Sequence, residues 1–182
     1  MFRTKVPKVV QRPPSILLFS IMLTLPFCTT MATAEDLPRE ATLPLVLAGK
    51  AATAALDKCK QDGHKVSVAV VDRAGVLKAL MRGDGAGPHT INSSSKKAYT
   101  AASLRRPTGE LADMVGKTPA VHGLRDMDDK ILILGGGLPI EIDGEVVGGI
   151  GVGGAPGGHL DEACAAAGLT SIGASVKAPA GK

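Results

Sequence analysis

Between Gly135 and Gly158 the chain reads GGGLPIEIDGEVVGGIGVGGAPGG, and eleven of these 24 residues are glycine. Glycine loses more conformational freedom on folding than other residues and brings no side chain to a core. Within the stretch, Leu138–Ile142 and Glu145–Val152 read as strands, and Asp143-Gly144 is a two-residue turn that joins strands into a hairpin. Along the second strand, Gly149, Gly151 and Gly153 alternate with Ile150 and Val152. One face is therefore branched and the other bare. A bare strand face signals close approach by another backbone or by a ligand. Two occupants fit: a tightly packed helix of the same chain, or something flat lying against the main chain.

The remaining elements follow from periodicity and punctuation. Leu43 to Asp62 has helical spacing and stops at Gly63. Lys65 to Asp72 (KVSVAVVD) is β-branched and alternating, and Asp72-Arg73-Ala74-Gly75 turns the chain into a second strand, Val76 to Arg82. After the loop Gly83–Pro88 come a helix of mixed polarity, Thr90 to Leu104, and a short helix, Thr108 to Val115, with Thr108 as its cap. Lys130 to Leu134 reads as extended. A last helix, Leu160 to Ala167, ends at Gly168. The order helix, hairpin, helices, hairpin, helix predicts an α/β (α+β) fold in which a central antiparallel sheet is flanked by helices.

The first 34 residues do not belong to that pattern. Arg3, Lys5, Lys8 and Arg12 precede an apolar run from Ser15 to Cys28, and Ala32-Thr33-Ala34 follows. This is the layout of a cleaved signal peptide, with processing between Ala34 and Glu35 and delivery to the periplasm or the exterior. The run is too short for the roughly 20 residues a membrane span needs. Removing it changes the charge balance. The chain carries 21 Lys plus Arg against 17 Asp plus Glu, and the four surplus cations all lie in the leader. All three Phe residues also lie there, which leaves Tyr99 as the sole aromatic of the mature chain. A near-neutral chain without aromatic platforms is not a nucleic-acid binder. Residues 35–182 suffice for one compact domain, with 174–182 expected to fray.

Two cysteines remain, Cys59 and Cys164, each on the apolar face of a predicted helix. The simpler reading is two small core residues. A disulfide is the alternative, permitted by export but requiring the two helices to be neighbours.

The blocks VSVAVVDRAGVLKALMRGDGA, KKAYTAASLRRPT, GGGLPIEIDGEVVGGIGVGGA and DEACAAAGL, in this order, resemble the GlcG/HbpS-like haem-binding family, which is related to the PduO C-terminal module. The resemblance spans Leu43 to Leu169. It implies a profilin-like fold, assembly into homo-oligomers, octamers among them, and non-covalent binding of haem or its iron, with degradation in some members.

Given that resemblance, the loop RGDGAGPHT places Arg82, Asp84, His89 and Thr90 within nine positions, with Lys96 and Lys97 on the helix that follows. Lysine, arginine and a helix start suit a propionate or other carboxylate. His89 is the candidate iron ligand, because neutral imidazole is a common axial donor. His122 is a second site candidate. Gly149 and Gly151 would let a flat ring approach the backbone. The set His159, Asp161 and Glu162 is a weak metal candidate, since consecutive helical positions diverge. No HExxH, CxxC or CxxCH spacing occurs, which speaks against structural zinc and covalent haem. With one aromatic, any haem site is expected to be shallow or completed by a neighbouring subunit. Two other classes stay open. One is an enzyme of a small organic acid or carbonyl compound, with Arg82 or Lys97 as clamp and Asp84 or His89 moving a proton. The other is a non-catalytic oligomeric accessory module.

Overall fold

The computed structural model describes residues 39–176. The proposed leader and its cleavage point lie outside them. Helix α1 (Leu45–Gln61) is followed by strands β1 (Ser67–Asp72) and β2 (Leu77–Arg82), helices α2 (His89–Leu104) and α3 (Thr108–Lys117), and a 3-10 segment, Pro119–Arg125. Strands β3 (Gly137–Ile142) and β4 (Glu145–Gly153) and helix α4 (Gly158–Ser171) complete the domain.

The strands form one antiparallel sheet in the order β2-β1-β4-β3. The two hairpins therefore meet through their inner strands, β1 and β4. Both inner strands are almost wholly buried, which explains the near-continuous Val/Ala run of β1. Asp143 and Gly144 both have positive φ, 52° and 81°, as a two-residue hairpin turn between β3 and β4 requires.

Helices α1 and α4 cover one face of the sheet. Their alanine-rich stripes, Ala48, Ala51, Ala52 and Ala55 from α1 and Ala165 and Leu169 from α4, pack with Val68, Val70, Ile150 and Val152. Small side chains let these helices approach closely. A Cβ on Gly168 would lie 2.7 Å from the Ala51 carbonyl oxygen. Gly168 is thus an interior packing residue and not the stop predicted for this helix; α4 runs on to Ser171. At the same seam, Cys59 and Cys164 are joined in a disulfide. The simpler reading of two free core thiols is corrected: α1 and α4 are neighbours, and the pair bridges them.

Other local expectations shift for identifiable reasons. Thr108 opens α3 from inside its first turn, and its hydroxyl accepts from Gly137 N–H at 2.8 Å instead of capping the helix. Residues 130–134 are irregular, not a strand, and are held by Leu132 N–H donating to Thr100 Oγ1 at 2.8 Å. Beyond Gly173 the chain does not fray at once. Ala174 is buried, and Ser175 N–H donates to Glu141 O at 2.8 Å on the edge of β3.

Candidate functional site

The loop after β2 is built largely from its own backbone. Arg82 Nε donates to Ala86 O at 2.9 Å, and Nη2 donates to the same carbonyl. Thr90 is buried; it shares a 2.7 Å hydrogen bond with Ser67 Oγ and donates to Gly87 O at 2.6 Å. Arg82 and Thr90 therefore fasten the loop to itself and to β1. Asp84 is exposed on it, and His89 is exposed on the first turn of α2. His122 is exposed in the 3-10 segment. Among the described residues, no hydrogen bond or ion pair joins these three.

Lys97 does not face solvent. It is 2% exposed, and its ammonium donates to Val152 O at 2.9 Å and to Asp161 Oδ2 at 2.8 Å. Asp161 Oδ1 in turn accepts from Ala155 N–H at 3.0 Å. Beside this pair, Glu162 Oε1 accepts from Gly109 N–H at 2.9 Å, tying α4 to the start of α3. Lys97 is thus a structural cation linking α2, β4 and α4. It is unavailable as an anion clamp, while the exposed Arg82 spends Nε and Nη2 on the Ala86 carbonyl of its own loop. Asp161 and Glu162 point to different partners while His159 is exposed. Among the described residues no cluster of three His, Cys, Asp or Glu could hold a metal.

The bare face of β4 has an occupant. A Cβ on Gly151 would lie 2.1 Å from Ser94 O and 2.4 Å from Ala98 N. One on Gly149 would lie 2.3 Å from Ala98 O, and one on Gly153 would meet the Ser93 hydroxyl at 2.3 Å. Helix α2 is pressed onto the strand along all three glycines. The flat-ring reading of Gly149 and Gly151 is therefore corrected: this face is filled by the chain's own helix. Ser94, Ala98 and Ala102, spaced four residues apart, form the complementary strip on α2.

Because α2 sits over β1 and β4, it leaves the same face of β2 partly open. There a cleft of about 430 Å³ lies between the β1–β2 turn and α2. Val71, Val76 and Leu77 form its apolar wall, and Lys96, Tyr99 and Lys130 line it as well. Its size falls within the roughly 300–1,000 Å³ of small-molecule sites. Val76 and Leu77 are 60% and 49% exposed, large values for apolar side chains. None of the lining residues is acidic. The turn positions the aromatic ring. Gly75 has φ +76°, and a Cβ there would lie 2.7 Å from Tyr99 Cδ2 and Cε2. Asp72 Oδ1 holds the turn by accepting from Ala74 and Val76 N–H, each at 3.0 Å. Lys130 Nζ stands 5.4 Å from the centre of the Tyr99 ring, within cation–π range. The buried Ile131 and the Leu132–Thr100 hydrogen bond hold that lysine's segment against α2.

Sequence reasoning missed this cleft. Its signals were Tyr99 as the lone aromatic beyond residue 34 and an apolar pair, Val76-Leu77, at a turn.

The arrangement defines a class: a small α+β domain with a disulfide-linked helical layer and one open, cation-bordered apolar cleft. The chain belongs to the HbpS-like family ("Haem degrading protein HbpS-like"), whose family model matches residues 43–170. It superposes on the crystal structure of a Streptomyces reticuli HbpS double mutant with a TM-score of 0.71 and 45% identity, covering 78% of this chain and 94% of that one. It is 36% identical to Protein GlcG of Escherichia coli over 98 residues, 53% of this chain and 69% of GlcG. A structure described as a PduOC:Heme complex matches with a TM-score of 0.68 and 27% identity, covering 74% of this chain and 98% of that one.

Proposed function

We propose that this chain is an exported protein that binds haem or a related tetrapyrrole non-covalently, in a homo-oligomer. The observation that carries the reading is the cleft beside Tyr99. Haem is planar and apolar across its ring, with two carboxylates at one edge. The cleft pairs an apolar wall with two lysines and no acid. An open cleft of this size takes part of the macrocycle and leaves the rest to solvent or to a neighbouring subunit. Family membership and the haem complex of a structural relative support the ligand class.

The disulfide supports export independently of the leader, because such bonds persist in oxidising compartments. Holding haem with its iron reachable suits sequestration or sensing. If oxidative breakdown follows, the porphyrin iron supplies that chemistry and the protein supplies orientation.

The test is an absorbance titration of haemin into the purified mature protein, repeated on His89→Ala and His122→Ala. A shifted Soret band that saturates near one haemin per chain, or per pair of chains if subunits share a site, is the expected result. No shift at micromolar protein overturns the reading.

A further inference from the structure

We propose that the Tyr99 phenol is the iron donor of this site, and that Lys96 and Lys130 hold the two ring carboxylates. This refinement rests on the haem reading above.

Tyr99 is the one cleft residue carrying an oxygen donor of a type that haem iron accepts. Neither His89, the donor suggested by sequence, nor His122, the second site candidate, lines the cleft. The ring is fixed on one side by Gly75, where even a methyl group would collide with it, and bordered on the other by Lys130. No hydrogen bond among the described residues engages its hydroxyl, and the Tyr99 side chain is only partly buried. Lys96 precedes Tyr99 by three positions on α2, one helical turn away, so the two lie on adjoining parts of one helix face. Lys130 comes from a different segment. The two lysines thus line the cleft from separate elements.

Two probes separate the parts of this proposal: haemin, and iron-free protoporphyrin IX, which has the same carboxylates and no metal. Each is titrated into the protein, Tyr99→Phe, His89→Ala and the Lys96→Glu/Lys130→Glu variant, with optical and electron paramagnetic resonance spectra of the ferric complexes. Circular dichroism confirms folding, since every substitution is at a partly or fully exposed position. The wild type is expected to bind both probes and to show a phenolate-to-iron charge-transfer band with haemin. Tyr99→Phe loses that band yet binds protoporphyrin IX within about twofold of wild type. The lysine variant binds both probes roughly tenfold more weakly. A band that survives in Tyr99→Phe, or is lost in His89→Ala instead, overturns the tyrosine assignment. Unchanged affinity in the lysine variant overturns the cleft. Failure of the wild type to bind either probe overturns the haem reading itself.

Discussion

Lys97 and Asp161 meet across 64 residues of sequence, Nζ to Oδ2 at 2.8 Å, with each side chain only 3% exposed. Both charges have further partners, the Val152 carbonyl and the Ala155 amide. A buried pair of this kind is costly to break from one side, because the remaining charge is left in a medium that cannot solvate it. Lys97→Met is expected to destabilise the fold by about 3–5 kcal/mol. Lys97→Met/Asp161→Leu should cost less than the sum of the two single changes. Urea unfolding of all three variants measures this, and additive losses would show that the pair is not coupled.

The glycine strand makes a second prediction. Gly151→Ala places a methyl group against the backbone of α2, which has no flexible end to move aside. The helix must shift, at a cost of about 1–3 kcal/mol or more. Gly49→Ala is the contrast. It lies inside α1 with nothing within 4 Å of an added Cβ, so helix propensity should win and stability rise by about 0.5–1 kcal/mol. Thermal melts of the two variants should move in opposite directions.

Gly75 joins turn and cleft. Its positive φ disfavours any side chain, and a Cβ would push on the Tyr99 ring. Gly75→Ala should cost about 1–2 kcal/mol and also weaken haemin binding. Gly63→Ala also has positive φ, at +83°, but nothing within 4 Å. It should carry the backbone cost alone. Parallel melts and haemin titrations separate the two effects.

The disulfide gives a fourth prediction. It closes a loop with a sequence separation of 105. Replacing both cysteines with alanine should lower stability by about 2–5 kcal/mol, read by chemical denaturation. Mass analysis of the unreduced protein should find no free thiol in residues 35–182.

The architecture was legible because hairpin turns and the periodicity of strands and helices are local signals. Asp143-Gly144 and the alternation in β1 depend on their immediate neighbours. The site was less legible because its determinants are pairings across the fold. Lys97 looked like one more cation on a helix of mixed polarity, and only the arrival of α4 buries it beside Asp161. Gly149 and Gly151 offered a bare face to either a helix or a ligand. The deciding clue, small residues at 94, 98 and 102, lies on another element, and nothing local shows that the two strips meet. Tyr99 drew attention only as a scarcity, since its cleft exists because α2 stops short of β2. The Cys59–Cys164 pairing likewise depended on which helices share a layer.

The covalent bond between the first helix and the last turns most of the domain into a closed ring. Every loop of the sheet, the cleft-forming turn included, lies inside that ring. A protease that cuts one of them once produces no separate piece: both ends stay tethered through sulfur until a reductant arrives. A single nick would then change the chain's connectivity without dispersing its parts.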